Sequence, residues 1–435
     1  MHPKYYRAKL PWILAIGGIL AGVILRAWLV FVVHTPSEHI YSDIAGYVSF
    51  ANRLLDPGTV LTAFDFIQPI GTSFLLAAIM KVTGGLSAAN VTWFLMSSMI
   101  PVFWFSAAHT LAGIRIAAAV AWLTALDISN ASFAALFMSE TPFGFLLAGG
   151  SACLALAFRS EGARSRQLAI AAGIIWGVSL AFRGHALAIL FMLVSTCGYL
   201  FAKGRRDHIL FNALIPFALV TLAFSAYFST KAGRPMITTL GMGCQTLMGR
   251  LPDAAETRFQ VTGTSIVHFY GSPAVHQRCP TRKYVFPFAV IDNGAALSEV
   301  ARRMWHEPAQ FISLSLRNAN DTITGNDPWP PNQMPTVNWL RIFESLFAVF
   351  VMIPACALVV PPFRGNRRML EIATLALPVA GIWLIGLLTI GETRYRVPFD
   401  GMLIIMACMK WAEVLASWGK TRSFGLRPQD DAPSF

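Results

Sequence analysis

Four places in the sequence set charged residues beside long apolar runs, and their residue types suit chemistry on a sugar or a phosphate. Asp43 opens the segment SDIAGYVSFANRLL, about ten residues after an apolar run ends. A helix start stabilises negative charge, so this carboxylate can serve as a general base, a metal ligand or a plain helix cap. Glu140 stands in the turn MSETPFGF between two apolar runs, where it either caps a helix or lines an outward-facing cavity. Arg183 and His185 occupy a second such turn. A third, GETRYRVPFDGMLIIM, has Arg394 and Arg396 flanking Tyr395, with Glu392 before them. Guanidinium groups bind phosphate through paired hydrogen bonds. Arg394 and Arg396 are therefore candidate ligands of a phosphate or pyrophosphate, with Arg183 as a third; anionic lipid headgroups are the plainer partner.

The elements that must position these residues are membrane spans. The chain has 435 residues, 55% hydrophobic and 13% charged, with a mean hydropathy of +0.56. Soluble proteins carry about 25% charged residues, which argues against a cytosolic enzyme, a disordered chain and a secreted disulfide scaffold. A helix crossing a bilayer needs about 20 mostly apolar residues. Runs of that kind predict ten spans, at 11–33, 89–111, 116–134, 141–158, 167–182, 186–202, 209–228, 338–360, 371–391 and 398–417. The net charge of +12 is sorted along them. Lys4, Arg7 and Lys9 precede the first span and Arg115 lies between the second and third. Arg159, Arg164 and Arg166 follow the fourth, Lys203, Arg205 and Arg206 the sixth, Arg364, Arg367 and Arg368 the eighth, and Lys420 and Arg422 the tenth. With the N-terminus cytoplasmic and sides alternating, every cluster falls inside, as cations of short loops should. The reading is a multi-pass protein of the plasma (inner) membrane with both termini cytoplasmic and a polar tail at 418–435. No basic soluble domain exists to track nucleic acid.

The first apolar run is long for a signal peptide and reads as a retained anchor. Two sizeable segments then lie outside, at 34–88 and 229–337. Within the first, 42–55 has helical apolar spacing, with Ser42 or Asp43 placed to cap it, and 69–82 is too short to span and reads as an interfacial helix. Asp127 and Arg26 lie at similar depth inside spans, where charge is costly, and are placed to pair. Arg341 and Glu344, one helical turn apart, are placed to satisfy each other. Cys244 and Cys279 share the large outer segment; they form one disulfide if that compartment is oxidising, or stay two buried thiols. No Cys–His spacing resembles a zinc site.

In this order the features resemble the GT-C glycosyltransferases, in particular the group with protein mannosyltransferases and the aminoarabinose transferases of lipid A. The resemblance runs from the first span to the tenth. It rests on Asp43-Ile44-Ala45-Gly46-Tyr47, on Gln68-Pro69 through Gly84-Gly85, on Ser139-Glu140-Thr141, on Gly173, Gly177 and Arg183, and on Arg394-Tyr395-Arg396-Val397-Pro398. It implies an all-α, single GT-C-like membrane domain that moves a sugar from a polyprenyl-phosphate carrier to a glycan, lipid or protein acceptor on the extracytoplasmic face. Asp43 would then be the catalytic base of an inverting transfer. Arg394, Arg396 and Arg183 would stabilise the leaving phosphate, with Tyr395 beside them, and Glu140 would position the acceptor or a divalent metal, whose use varies across the superfamily. The sequence departs from the pattern by lacking a large C-terminal outer domain. Its outer segment 229–337, with Trp305, Trp329, Arg302 and Arg303, lies between spans seven and eight instead.

Two other functions fit parts of this pattern. A transporter or flippase of lipid-linked saccharides would suit ten spans and intramembrane charge, yet no two-half repeat is visible. A ligase of lipid-linked glycans would use the outer arginines with His185, His268 or His276, and would leave the Asp43 helix without a task.

Overall fold

A computed structural model describes residues 3–204, 207–252, 255–261, 264–270, 282–324, 337–359 and 367–424. Its helices are α1 (Pro3–Trp28), α2 (Ser42–Leu55), α3 (Gly71–Thr83), α4 (Ser87–Ala112), α5 (Ile114–Ala125), α6 (Ile128–Ser132), α7 (Glu140–Arg159), α8 (Gly162–Ser179) and α9 (Leu187–Ala202). They continue with α10 (His208–Ala232), α11 (Met242–Met248), α12 (Asn293–His306), α13 (Pro308–Thr324), α14 (Val337–Phe347), α15 (Ile353–Val359), α16 (Arg367–Leu388), α17 (Thr393–Arg396) and α18 (Asp400–Phe424). Strands β1 (Ala255–Val261), β2 (Thr264–Tyr270) and β3 (Arg282–Phe286) form a small sheet in the order β2-β1-β3. In it β1 runs antiparallel to β2 and parallel to β3. The chain is thus an all-α polytopic membrane protein carrying a small sheet between α11 and α12.

Helix forms at all ten predicted runs. Among the described residues seven segments are long and apolar enough to cross a membrane, and an eighth candidate, 114–135, is bent by 47°. The remaining two runs are α8, whose start carries Arg164 and Arg166, and α18, whose later turns carry Lys410 and Glu413. Charge at one end dilutes the hydropathy of each, but both are packed into the protein: Met402 through Ala407 of α18 are buried without a break. Conversely, Leu219 and Leu222 of α10 are left 60% and 65% exposed, as a face meeting lipid tails should be.

The bend in the third span has a clear cause. α5 stops at Ala125, and Asp127 accepts the Asn130 backbone N–H at 3.0 Å, capping α6. Asp127 is therefore a cap and not the ion-pair partner expected for Arg26. Arg26 instead donates to the freed carbonyl of Ala125 at 2.7 Å, to Ser97 Oγ at 2.9 Å and to Asn130 Oδ1 at 3.3 Å. A buried guanidinium needs its donors satisfied, and the carbonyls left over by the helix break do this.

Three apolar clusters fix the frame. The largest joins Trp104, Phe143, Trp176, Phe217 and Phe399 across α4, α7, α8, α10 and the start of α18. A second packs α2 and α3 through Ile44, Tyr47 and Leu76 against Trp93 of α4 and Phe137. A third draws Phe66, Leu247, Phe259, Phe286 and Ala296 of the outer segments onto Tyr395. Both helices expected in the first outer loop are present. α3, at 13 residues, extends roughly 20 Å at about 1.5 Å per residue, short of the ~30 Å of a bilayer core.

The start of α3 is tied to the turn that carries Arg183. The Gly71 N–H donates to the Ala181 carbonyl at 2.8 Å, and a Cβ on Gly71 would come within 2.8 Å of that same oxygen. Only glycine permits so close an approach. Gly71→Ala is expected to force the 181–183 turn away and to cost about 1–3 kcal/mol, read as a lowered thermal midpoint of the detergent-solubilised protein.

Candidate active site

Asp43 lies in the first turn of α2, and neither it nor Ser42 caps the helix: the residue before the helix is Tyr41, whose side chain makes no capping bond. Ser42 adopts a left-handed φ of 49°, uncommon outside glycine and costing about 1 kcal/mol. This conformation directly precedes Asp43, whose carboxylate meets two groups from distant elements. Gln68 Nε2 donates to Oδ1 at 3.2 Å, and Arg394 Nη1 to Oδ2 at 2.9 Å. The carboxylate remains one-third exposed, so it is held in place yet reachable. An ionised carboxylate offers about four lone-pair sites, leaving acceptor capacity on each oxygen.

Arg394 lies in α17, the helical turn between α16 and α18, and also pairs with Glu392. Burial holds the Glu392 carboxyl above the usual carboxylate range, with the Arg394 guanidinium opposing. Behind this pair stands a second. Glu140, buried at the start of α7, pairs with Arg183, which also donates to Ser139 Oγ at 3.4 Å. Tyr395 joins the two groups: the Arg183 and Arg394 guanidinium carbons lie 5.3 and 5.4 Å from its ring centroid. His185 stacks on the same ring at 4.5 Å and 30°.

His185 adds a donor. Arg183 Nε, which can only donate, lies 3.4 Å from His185 Nδ1, assigning the ring proton to Nε2 in the neutral imidazole. Nε2 is buried with no hydrogen-bond partner among the described residues. A buried N–H left open in this cluster is a donor available to an incoming group.

The structure thus gathers Asp43, Glu140, Arg183, Arg394 and Tyr395 into one cluster. Arg396 is not in it. Its side chain is fully buried and pairs with Glu344 at 2.6 Å and Asp400 at 2.9 Å, while Nη1 donates to the Ile323 carbonyl at 2.6 Å. Glu344 is therefore spent on Arg396 and on the Ser129 hydroxyl, and not on Arg341 as helical spacing suggested. Of the suggested disulfide, Cys244 is buried beside Leu247 and Cys279 lies outside the described residues, as do His276 and Trp329. Sequence reasoning gave no role to the Gln68 amide or to Tyr47. Tyr47 is one turn on from Asp43 and buried; burial first, then the Asp43 and Glu140 charges, push its hydroxyl pKa up. The spacing Asp43-x-x-x-Tyr47 was the signal, since residues four apart share a helix face.

Among the described residues no group of three His, Cys, Asp or Glu side chains converges, and the carboxylates of Asp43 and Glu140 each already face a guanidinium.

Neither a family model nor a curated protein matches the sequence. Solved structures do match in fold. The apo oligosaccharyltransferase of Archaeoglobus fulgidus gives a TM-score of 0.52 at 11% identity, over 94% of this chain and 52% of its own. The same protein tethered to an acceptor peptide containing the NVT sequon gives 0.50 at 12% identity, over 97% and 51%. Its complex with Zn and sulfate gives 0.51 at 12%, over 94% and 50%. The chain spans about half the length of the structures it matches. The all-α polytopic architecture expected from the sequence is the architecture observed, and these structures share its fold.

The two arginines of the Arg394-Tyr395-Arg396 turn should separate by experiment. Removing one partner of a buried ion pair costs about 3–5 kcal/mol, so Arg396→Gln is expected to lower the thermal midpoint sharply. Arg394→Gln, at a partly exposed cluster, is expected to leave that midpoint within a few degrees.

Proposed function

We propose that this protein is an inverting glycosyltransferase that moves a sugar from a polyprenyl-phosphate carrier to an acceptor hydroxyl at the extracytoplasmic face of the plasma membrane. The observation that carries the reading is the Asp43 carboxylate, steadied by Arg394 and Gln68 at the edge of a buried cluster that holds Arg183 and an open His185 N–H. The shared fold with an oligosaccharyltransferase supports it. So does the sorting of basic clusters to one side, which sets this turn-lined site on the other.

In the reaction, the acceptor oxygen attacks the anomeric carbon from the face opposite the phosphate. Its proton passes to Asp43 as the new C–O bond forms. The bond from the anomeric carbon to the phosphate oxygen breaks with its electron pair, releasing polyprenyl phosphate, and the single displacement inverts the anomeric configuration. The leaving phosphate gains negative charge, which fixed donors stabilise best when already in position. Arg394, Arg183 and His185 Nε2 supply them, and Glu140 keeps Arg183 aimed. Arg396 acts at a distance, anchoring the turn.

The charge count gives a pH dependence. Asp43, Glu140 and Glu392 oppose Arg183 and Arg394, one negative charge in excess. Glu392, with its raised pKa, is the group that takes a proton as pH falls, and the neutral form removes the excess. Binding of the donor phosphate is therefore expected to tighten at lower pH and weaken as pH rises through the Glu392 pKa. Glu392→Gln should bind as the wild type does at low pH and lose this dependence.

The test of the reading is transfer from a short-chain polyprenyl-phosphate sugar by reconstituted protein. Asp43→Asn is expected to lose about 10²–10⁴-fold in rate while still binding donor. Full turnover by Asp43→Asn would overturn the assignment. Translocation of the donor across vesicles without any transfer would instead show a flippase.

A further inference from the structure

A groove of about 490 Å³ lies between β3 and α12, in the outer segment and apart from the Asp43 cluster. Its volume falls within the ~300–1,000 Å³ of small-molecule sites. One wall is aromatic. Tyr284 and Phe286 stand with parallel rings 6.5 Å apart, and Phe288 follows at 5.4 Å from Phe286. Phe259 of β1 backs them, stacked on Phe286 at 5.6 Å. The other wall is polar and comes from one face of α12, where residues 295, 298, 299, 302 and 303 recur at helical spacing.

Electrostatics make this groove selective. Glu299, largely buried, accepts two hydrogen bonds at 2.7 Å from Arg302 and one at 2.9 Å from Arg303. Those bonds orient both guanidinium groups; Arg303 lies 5.3 Å over the Tyr284 ring, and Arg302 stays 57% exposed. Arg282 and Lys283 are exposed at the start of β3. Two guanidiniums in the groove thus face the single carboxylate of Glu299, with further cations at the start of β3. Trp305, three residues beyond Arg302, is 81% exposed.

Aromatic faces pack against the C–H faces of sugar rings, while oriented guanidiniums bind carboxylate or phosphate in paired hydrogen bonds. We infer that the groove between β3 and α12 binds the acceptor, and that the acceptor is an acidic oligosaccharide bearing carboxylate or phosphate groups. A neutral glycan would leave the excess cations unused. The groove also connects to the transfer site: Phe286 and Ala296 belong to the same apolar cluster as Tyr395, so an acceptor held here sits on a scaffold continuous with the site. This inference rests on the transferase reading above and names the substrate class for it.

The test is binding, which needs no turnover. Full-length protein in detergent is titrated with an oligogalacturonate, a neutral malto-oligosaccharide and inorganic phosphate, and is floated with phosphatidylglycerol vesicles. The oligogalacturonate is expected to bind in a salt-sensitive manner, at least tenfold more tightly than either other solute. Arg302→Ala should weaken it by tenfold or more, Arg302→Lys by less, and Tyr284→Ala should weaken it as well. Arg302 is exposed, so its two variants are expected to fold, as their unchanged thermal midpoints would show. Equal affinity for the neutral probe, equal binding by Arg302→Ala, or vesicle binding alone lost in Arg302→Ala would each overturn the inference. Donor hydrolysis by water reports the Asp43 site by itself. Groove binding without donor turnover would fault only the transferase reading, and turnover without groove binding would fault only this inference.

Discussion

The contact on which the site depends is the one between Asp43 and Arg394, residues 351 positions apart. It joins the start of α2 to the turn between α16 and α18, so the site exists only when the whole bundle has closed. Its precision comes from a costlier interaction two residues away. Arg396 is wholly buried, and removing a guanidinium from water carries a penalty of several kcal/mol. Glu344 from α14, Asp400 from α18 and the Ile323 carbonyl from α13 offset that penalty together. The ion network therefore specifies where the turn must sit, and Arg394 and Tyr395 inherit their places from it.

The other half of the site is fixed by backbone. Ser42 in the left-handed region sets the entry into α2, and the Gly71 N–H holds α3 to the turn before Arg183. α2 and α3 have only a modest apolar face, but Ile44, Tyr47 and Leu76 bury it against Trp93 and Phe137. Short interfacial helices of this kind place Asp43 and Gln68 without crossing the bilayer. Tyr395 then acts as a hub, with Arg183, Arg394 and His185 about one ring that belongs to the apolar cluster of Phe66, Leu247 and Phe286.

Much of this was legible in the sequence, and the gaps have physical reasons. The long apolar helices, the two short helices α2 and α3 and the choice of Asp43, Glu140, Arg183 and the Arg-Tyr-Arg turn as candidates follow from apolar run length, helical spacing and charge in unexpected places. The division of labour between Arg394 and Arg396 does not. Two arginines at i and i+2 point to different sides of a helical turn, and which side meets the interior depends on helices remote in sequence. The same limit explains Glu344, whose local partner Arg341 lost to a buried guanidinium that only tertiary packing supplies. Asp127 read as a buried charge in search of a cation because a straight span was assumed; the break in the helix gave it a backbone partner. The Gln68 amide had no sequence signal beyond its place before Pro69, and the groove beneath β3 required a parallel strand pairing that spacing does not predict.

In the proposed transfer, Asp43 and Arg394 act as one unit. A double-mutant cycle addresses it directly, measuring transfer rates for Asp43→Asn, Arg394→Gln and the pair together. Groups that act as a unit show strong non-additivity, so the double variant is expected to be scarcely slower than Asp43→Asn alone. Rate losses that simply multiply would contradict it.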